Sequence, residues 1–410
     1  MKIKEKSELK KNFTKLTQKR GISLIVLIVT IIVIIILAAV VILTVSKNNP
    51  VESAREATFK EDLRSFQDDL ALSISKDYTK KAGQRDTKFN ADKYTTGEEA
   101  DSVYTYIPSF NKKYDGKFAI VNDELKYVGE EEKEIIWSKE LGVKKYVAVP
   151  ENWKATITEM TEDGVPIPKG FTYVAGTKET GTVIKDSLDN EFVWIPATEA
   201  TYVKDLTFKG ATPTGDDTLP SGITDETADV KKYGGFYIGR YEAGIPTGDT
   251  SPSNKTGIPV SKQGEKVWTN INYANAKSSA ESMISNDYVQ TGLLTGKAWD
   301  TTCHFIEDAV SSLTDSRTYG NHKDSQSPAN VTGYGSKQVA GFSDKWSVKN
   351  IYDLAGNVFE WTAEALSTSR INRGGSYNFF GGSYPVSSRG SDGPSGASDN
   401  LGFRSRLYIK

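Results

Sequence analysis

Asn350-Ile351-Tyr352-Asp353-Leu354-Ala355-Gly356-Asn357-Val358-Phe359-Glu360-Trp361-Thr362 decides how the second half of this chain is read. It is followed by Asn372-Arg373-Gly374-Gly375-Ser376-Tyr377 and then by Asn400-Leu401-Gly402-Phe403-Arg404. Glycines at 356, 374, 375 and 402 permit turns or close backbone approach. Trp361 and Phe403 suit a small core, while Arg373 and Arg404 suit bridges to loop carbonyls or carboxylates. The same texture extends upstream to about Pro150. Aromatic strands such as Phe192-Val193-Trp194-Ile195 and Phe236-Tyr237-Ile238-Gly239-Arg240-Tyr241 alternate with polar loops over 212–229 and 244–264. Two helices interrupt them. Tyr273–Ile284 puts Tyr273, Ala276, Ala280 and Met283 on one side. Gly296–Ser311 puts Trp299, Cys303, Ile306 and Val310 on an apolar stripe, which makes Cys303 a core residue and His304 an exposed neighbour.

The three C-terminal motifs, with Phe236–Glu242 and Gly292–Asp300 before them, resemble the formylglycine-generating-enzyme (sulfatase-modifying factor) family. That family is a branch of the C-type-lectin-like fold. The resemblance spans roughly residues 165–410 and implies an α+β body over 150–410. It does not imply the family's oxidase activity. That chemistry uses a copper-binding cysteine pair shortly after the RGGS segment, and Phe379 and Tyr384 stand in those places. Cys303 is the only cysteine of the chain, and a cuprous ion is held by soft thiolates. The related iron enzymes need histidine ligands, and only His304 and His322 exist. No Ser-His-Asp set is evident either, so the chain is expected not to be an enzyme. The family also binds calcium at loop sites. Carried onto this chain, the resemblance makes Asn357 and Glu360 the candidate calcium ligands, a donor set that suits a hard cation.

Residues 375–400 read GSYNFFGGSYPVSSRGSDGPSGASDN. Thirteen of these 26 residues are Gly or Ser, and Tyr377, Phe379, Phe380 and Tyr384 punctuate them. Aromatics among small polar residues are the vocabulary of antibody loops, where rings supply contact area and small residues adapt hydrogen bonds. Tyr377, Asn378, Phe379, Phe380, Ser383, Tyr384, Ser388 and Asp392 are the expected ligand contacts. The segment lacks Lys, Glu, Gln, Met and Trp. Those are the five types that NNY codons cannot encode, and NNY codons arise in C-type-lectin proteins diversified by retroelements. The region resembles their variable segment.

The N-terminal part has a different character. Residues 1–20 carry eight Lys/Arg and two Glu, and residues 21–45 carry no charge. The whole chain has 410 residues, 51 Lys+Arg and 53 Asp+Glu, a net −2, so the remaining 365 residues sum to −8. No overall basic excess argues for nucleic acid. Ile22–Val45 is apolar apart from three hydroxyls. As a helix it spans about 36 Å, enough for a hydrocarbon core of about 30 Å. The basic head places the N-terminus in the cytoplasm and the body outside the cell membrane. Lys19-Arg20-Gly21-Ile22-Ser23-Leu24-Ile25 resembles the class III signal of type IV prepilins and pseudopilins. That resemblance implies cleavage between Gly21 and Ile22 and N-methylation of Ile22. Val26 stands where the family has a glutamate that registers subunits, which weakens the case for polymerisation.

The expected organisation is a basic leader (1–20), a membrane helix (21–46), a pilin-like helix with a small sheet (47–149) and the C-type-lectin-like body (150–410). Pro50–Lys80 continues the first helix, with Ala54, Ala57, Leu63, Phe66, Leu70 and Ile74 at helical spacing, and Glu130–Glu134 reads as a solvated face. The function this implies is display of a catalytically inactive binding domain for an extracellular protein or carbohydrate. The implied partners are the membrane, prepilin peptidase and other pilins. A minor pilin or pseudopilin role and a divergent oxidase are the alternatives.

Overall fold

The computed structural model describes residues 32, 33, 35, 49–81, 87–91, 102–210, 226–246 and 255–410. The expected leader, the Gly21–Ile22 junction and nearly all of the expected membrane helix lie outside these residues. Among the described residues no helix is long and apolar enough to cross a membrane. The chain divides into two units, Met1–Lys145 and Tyr146–Lys410.

In the first unit, helix α1 (Pro50–Lys80) begins where its cap chemistry says it should. The Asn49 side chain accepts the Val51 and Glu52 amides, and Pro50 occupies the first turn, where no amide is needed. Phe59, Leu63, Phe66 and Leu70 form its buried stripe. Ala54 and Ala57, expected on that stripe, are exposed; the larger Phe59 ring sets the rotation of the helix. The stripe packs on strands β1 (Phe118–Val121) and β2 (Glu124–Tyr127), an antiparallel hairpin, and on helix α2 (Glu132–Glu140). Phe59 and Phe66 meet the Phe118 ring at 6.1 and 5.9 Å. The acidic run is not wholly solvated. Glu134 is buried, accepts the Tyr127 hydroxyl at 2.7 Å, and pairs with Arg55 at 2.7 Å and Lys117 at 2.8 Å.

In the second unit the main elements, in order, are β3 (Phe171–Ala175), β4 (Val183–Asp186), β5 (Glu191–Pro196), β6 (Gly235–Gly239), α3 (Tyr273–Met283), β7 (Val289–Leu293) and α4 (Gly296–Ile306). They continue with β8 (Phe359–Leu366), β9 (Ser369–Arg373), β10 (Arg389–Asp392), β11 (Leu401–Phe403) and β12 (Ser405–Ile409). A six-stranded antiparallel sheet runs β7-β12-β6-β5-β4-β3. Both its faces are covered, which is why β5 reads as an unbroken apolar run. Val193 and Ile195 join Trp299, Cys303 and Ile306 of α4, while Phe192 and Trp194 join Ile157, Tyr237 and Leu407 on the other face. A second sheet runs β10-β9-β8-β11, with β8 and β11 parallel. Trp361 and Phe403 are fully buried against Tyr273, Ala276 and Ala280 of α3.

Candidate functional site

The turn after β9 is fixed to the body by its backbone. The Tyr377 amide donates to the Asn357 carbonyl at 2.9 Å, and the Gly381 amide donates to Asp324 Oδ1 at 2.8 Å. The Phe379 carbonyl accepts the Lys323 amide at 3.0 Å. Gly375 has φ of 78°, and a side chain there would overlap the Tyr384 carbonyl. Beneath the turn lies His322, fully buried, with its ring against Gly375 and Gly381. Burial pushes its pKa down to about 4, so it is neutral at physiological pH.

This anchoring gathers the aromatic residues. The Phe359, Phe379 and Tyr384 rings meet edge to face, with centroids 5.3, 5.7 and 4.9 Å apart. Phe380 is 51% exposed and Tyr384 37%. The Lys323 ammonium lies 5.3 Å from the Phe380 ring. Neither Phe359 nor Lys323 was singled out from the sequence. The alternation of β8 marks Phe359 as inward-facing, but nothing marks Lys323. Around the rings the polar groups bond to one another. Tyr377 OH donates to Asp399 Oδ2 at 3.0 Å, and Asn378 Oδ1 accepts from Ser376 Oγ at 2.8 Å and Asn400 Nδ2 at 3.2 Å. Ser383 is exposed in the same turn.

Two of the expected contacts fall elsewhere. Ser388 is buried, and its carbonyl accepts Arg373 Nε at 2.9 Å. It lies in the turn just before β10, where its amide donates to the Pro385 carbonyl at 2.9 Å and Arg373 holds its carbonyl. Asp392 is exposed but belongs to β10, where it accepts Asn372 Nδ2 at 2.7 Å.

The calcium expectation does not fit the geometry. Glu360 is buried and gives both oxygens to Arg404. Asn357 Oδ1 is taken by Asn321 Nδ2 at 3.1 Å and the Gln338 amide at 3.0 Å, and its Nδ2 donates to Glu242 at 2.5 Å. An oxygen held by a guanidinium or amide is not free for a hard cation. Among the described residues, no group of three or more His, Cys, Asp or Glu side chains is arranged to hold a metal ion. Copper fares no better. Phe379 and Tyr384 are neighbours, but rings supply no thiolate. Cys303 is buried with its thiol pushed upward by burial, and its Sγ faces the Val386 carbonyl at 3.8 Å.

A second buried constellation holds the two sides of the turn. Asp300 binds Arg373 Nη2 at 2.6 Å and also Arg389, and Glu364 binds Arg373 Nη1 at 3.0 Å. Arg373 thus bridges carboxylates and the Ser387 and Ser388 carbonyls at once.

Residues 313–406 match the family of the sulfatase-modifying factor enzyme 1-like domain. The matched stretch holds the aromatic turn, His322, Asn357, Glu360 and Arg404. No curated protein matches the chain. Among solved structures, PvdO from Pseudomonas aeruginosa aligns at 17% identity over 58% of this chain and 100% of that one, with a TM-score of 0.34. CarF aligns at 17% identity over 43% and 87%, TM-score 0.31. Treponema denticola variable protein 1 aligns at 14% identity over 62% and 91%, TM-score 0.23.

Proposed function

We propose that this chain is a membrane-anchored surface protein whose sulfatase-modifying-factor-like, C-type-lectin-fold body binds an extracellular ligand and performs no catalysis. The observation that carries the reading is the aromatic turn. Exposed Tyr384 packs edge to face on Phe359 and Phe379, exposed Phe380 stands beside the Lys323 ammonium, and the turn is fixed by backbone hydrogen bonds. Rigid aromatic anchors give contact area at little entropic cost. The absence of a thiolate pair at 379 and 384 supports a binding role over oxidation. The apolar run Ile22–Val45 behind a basic head supports the membrane anchor, and Gly21-Ile22 supports peptidase processing of it.

The test is made on the gene and the cell. The 3′ end of the gene is sequenced across sibling cells, and a near-copy of codons 371–404 is sought downstream. Differences confined to adenines of that near-copy would establish a diversified ligand surface. In parallel, cells displaying the full chain are compared with cells displaying the Phe380→Ala/Tyr384→Ala variant for adhesion to panels of surface proteins and glycans. Equal adhesion across the panels rejects the aromatic turn as the binding face. Copper-dependent oxygen uptake by the purified chain would revive the oxidase alternative.

A further inference from the structure

Gly375 and Gly381, which bracket the aromatic turn, rest on one imidazole. A side chain at Gly375 would come within 2.9 Å of His322 Cε1, and one at Gly381 within 2.7 Å of its Cδ2. A side chain at Gly320 would come within 2.8 Å of Nε2, so backbone packs on three edges of the ring. His322 is fully buried, and neither ring nitrogen has a hydrogen-bond partner. Buried polar groups are ordinarily bonded. A neutral imidazole tolerates this place at some cost, whereas an imidazolium carries two donors and a charge that both need acceptors.

The surroundings do not supply them. The segment of His322 contributes Asp315, Arg317, Lys323 and Asp324. Asp315 pairs with Arg317 at 2.6 Å, Asp324 Oδ1 takes the Gly381 amide at 2.8 Å, and the Lys323 ammonium lies on the Phe380 ring. The turn over the ring, residues 375–384, carries no Lys, Arg, His, Asp or Glu. Ala355 and Gly356, which pack on Gly320 and Asn321, carry no charge either. Burial outweighs the pull of Asp324, the Ser376 carbonyl and Asp315 toward the charged ring.

Of the two sides, the turn is the one that can yield. The His322 backbone is held on both sides by Ser325, whose Oγ accepts the His322 amide at 2.8 Å and donates to its carbonyl at 3.1 Å. In the turn, Asn378, Phe380, Gly382, Ser383 and Tyr384 are exposed. Lifting it brings water to the imidazole.

We propose that the aromatic turn is an acid-released latch: neutral His322 seats it, and protonation of His322 lifts it, so the rings are held in place at neutral pH and freed in acid. As regulation of a ligand face this rests on the reading above; the release itself is measured without a ligand. With the turn open, the imidazole ionises at the ordinary histidine value of about 6.5. With the turn closed, it ionises only near 4. The closed turn therefore has its full stability above about pH 6.5 and loses it as pH falls toward 4.

The experiment follows amide hydrogen exchange of the purified full chain, corrected for the intrinsic pH dependence of exchange. From roughly pH 7.5 to 5, opening read at the Tyr377, Phe379 and Gly381 amides should rise on the order of tenfold, while β5 and β6 keep their protection. His322→Leu removes the titration and keeps Asp324, so its turn should be equally protected at both pH values. Acid release that persists in this variant assigns the effect to Asp324 and overturns the proposal. A second measurement needs no change at His322. The chain has two histidines, so His304→Gln leaves a single imidazole signal in the NMR spectrum. Its midpoint should lie below the ordinary value, and the turn amides should shift along the same curve. A midpoint at or above about 6.5, or a low midpoint with unmoved turn amides, overturns the proposal. A turn released in acid while adhesion of displaying cells is unchanged rejects the ligand face and leaves the latch standing.

Discussion

Arg404 takes both carboxylate oxygens of Glu360, with Nη2 2.7 Å from Oε1 and Nε 3.1 Å from each oxygen, and neither side chain reaches solvent. The same guanidinium donates to the Gly239 and Tyr352 carbonyls at 2.9 and 2.8 Å. One cation thereby joins β6, the hairpin before β8, and β8 itself. Removing one partner of such a pair leaves an uncompensated buried charge, which typically costs about 3–5 kcal/mol. Arg404→Met is expected to destabilise the second unit by that order in denaturant unfolding. Because the guanidinium already occupies the carboxylate, adding calcium or a chelator should leave the wild-type melting temperature unchanged. A calcium-dependent rise would contradict the arrangement seen here.

Asp353 titrates beside that pair. Burial lifts its carboxyl to about 7 from the ordinary aspartate value of 3.8, opposed by the Gly341 amide and by Arg404. The amide donates to its Oδ2 at 2.7 Å. The folded chain thus keeps a proton that the unfolded chain releases near pH 4. Stability from this group is full below pH 4 and is lost as pH rises toward 7. Asp353→Asn should flatten that slope, since an amide needs no proton. Melting curves of the two proteins across pH 4 to 7 should converge at the acid end and separate toward neutrality, with the variant the more stable.

How much of this was legible beforehand depends on the distance over which a residue acts. Local signals served well. The apolar spacing marked α1, the unbroken aromatic and apolar runs marked β5 and β6, and the glycine-rich motifs marked the turns around Trp361 and Phe403. The bridging role of Arg373 and Arg404 was visible from residue type, but their partners were not. Asp300 and Arg373 stand 73 positions apart, and no local pattern pairs them. Rotation about a helix axis is similarly hidden. Ala54 and Ala57 share the spacing of the buried stripe but lie outside it. In EEEKE only Glu134 turns inward, because Tyr127, Arg55 and Lys117 meet it there. Ser388 does lie in a loop, but Arg373, 15 positions earlier, holds its carbonyl and the residue is buried.

Glu134 offers a test confined to the first unit. It is buried and accepts from Tyr127, Arg55 and Lys117. Glu134→Ala leaves the Tyr127 hydroxyl without its acceptor and takes from Arg55 and Lys117 the buried carboxylate they share, while both keep Glu131. A cost of roughly 1–3 kcal/mol is expected, chiefly from the buried hydroxyl left without an acceptor. Hydrogen exchange should speed in α2, β1 and β2 while strands of the six-stranded sheet keep their protection. Equal loss of protection in both units would show that they do not unfold separately.

The aromatic turn separates anchors from floor. Phe380 is half-exposed with its ring under the Lys323 ammonium, so truncation removes little buried area. Phe380→Ala should change stability by no more than about 0.5 kcal/mol. Phe379 packs on Phe359 and Tyr384, and its backbone holds Lys323. Phe379→Ala should cost about 1–3 kcal/mol from lost apolar burial and ring contacts. On cells that display the full chain, adhesion should fall sharply for Phe380→Ala at unchanged surface abundance. A loss seen for Phe379→Ala alone, in proportion to its lost stability, would make the rings a structural lid over His322 and not a face that meets a ligand.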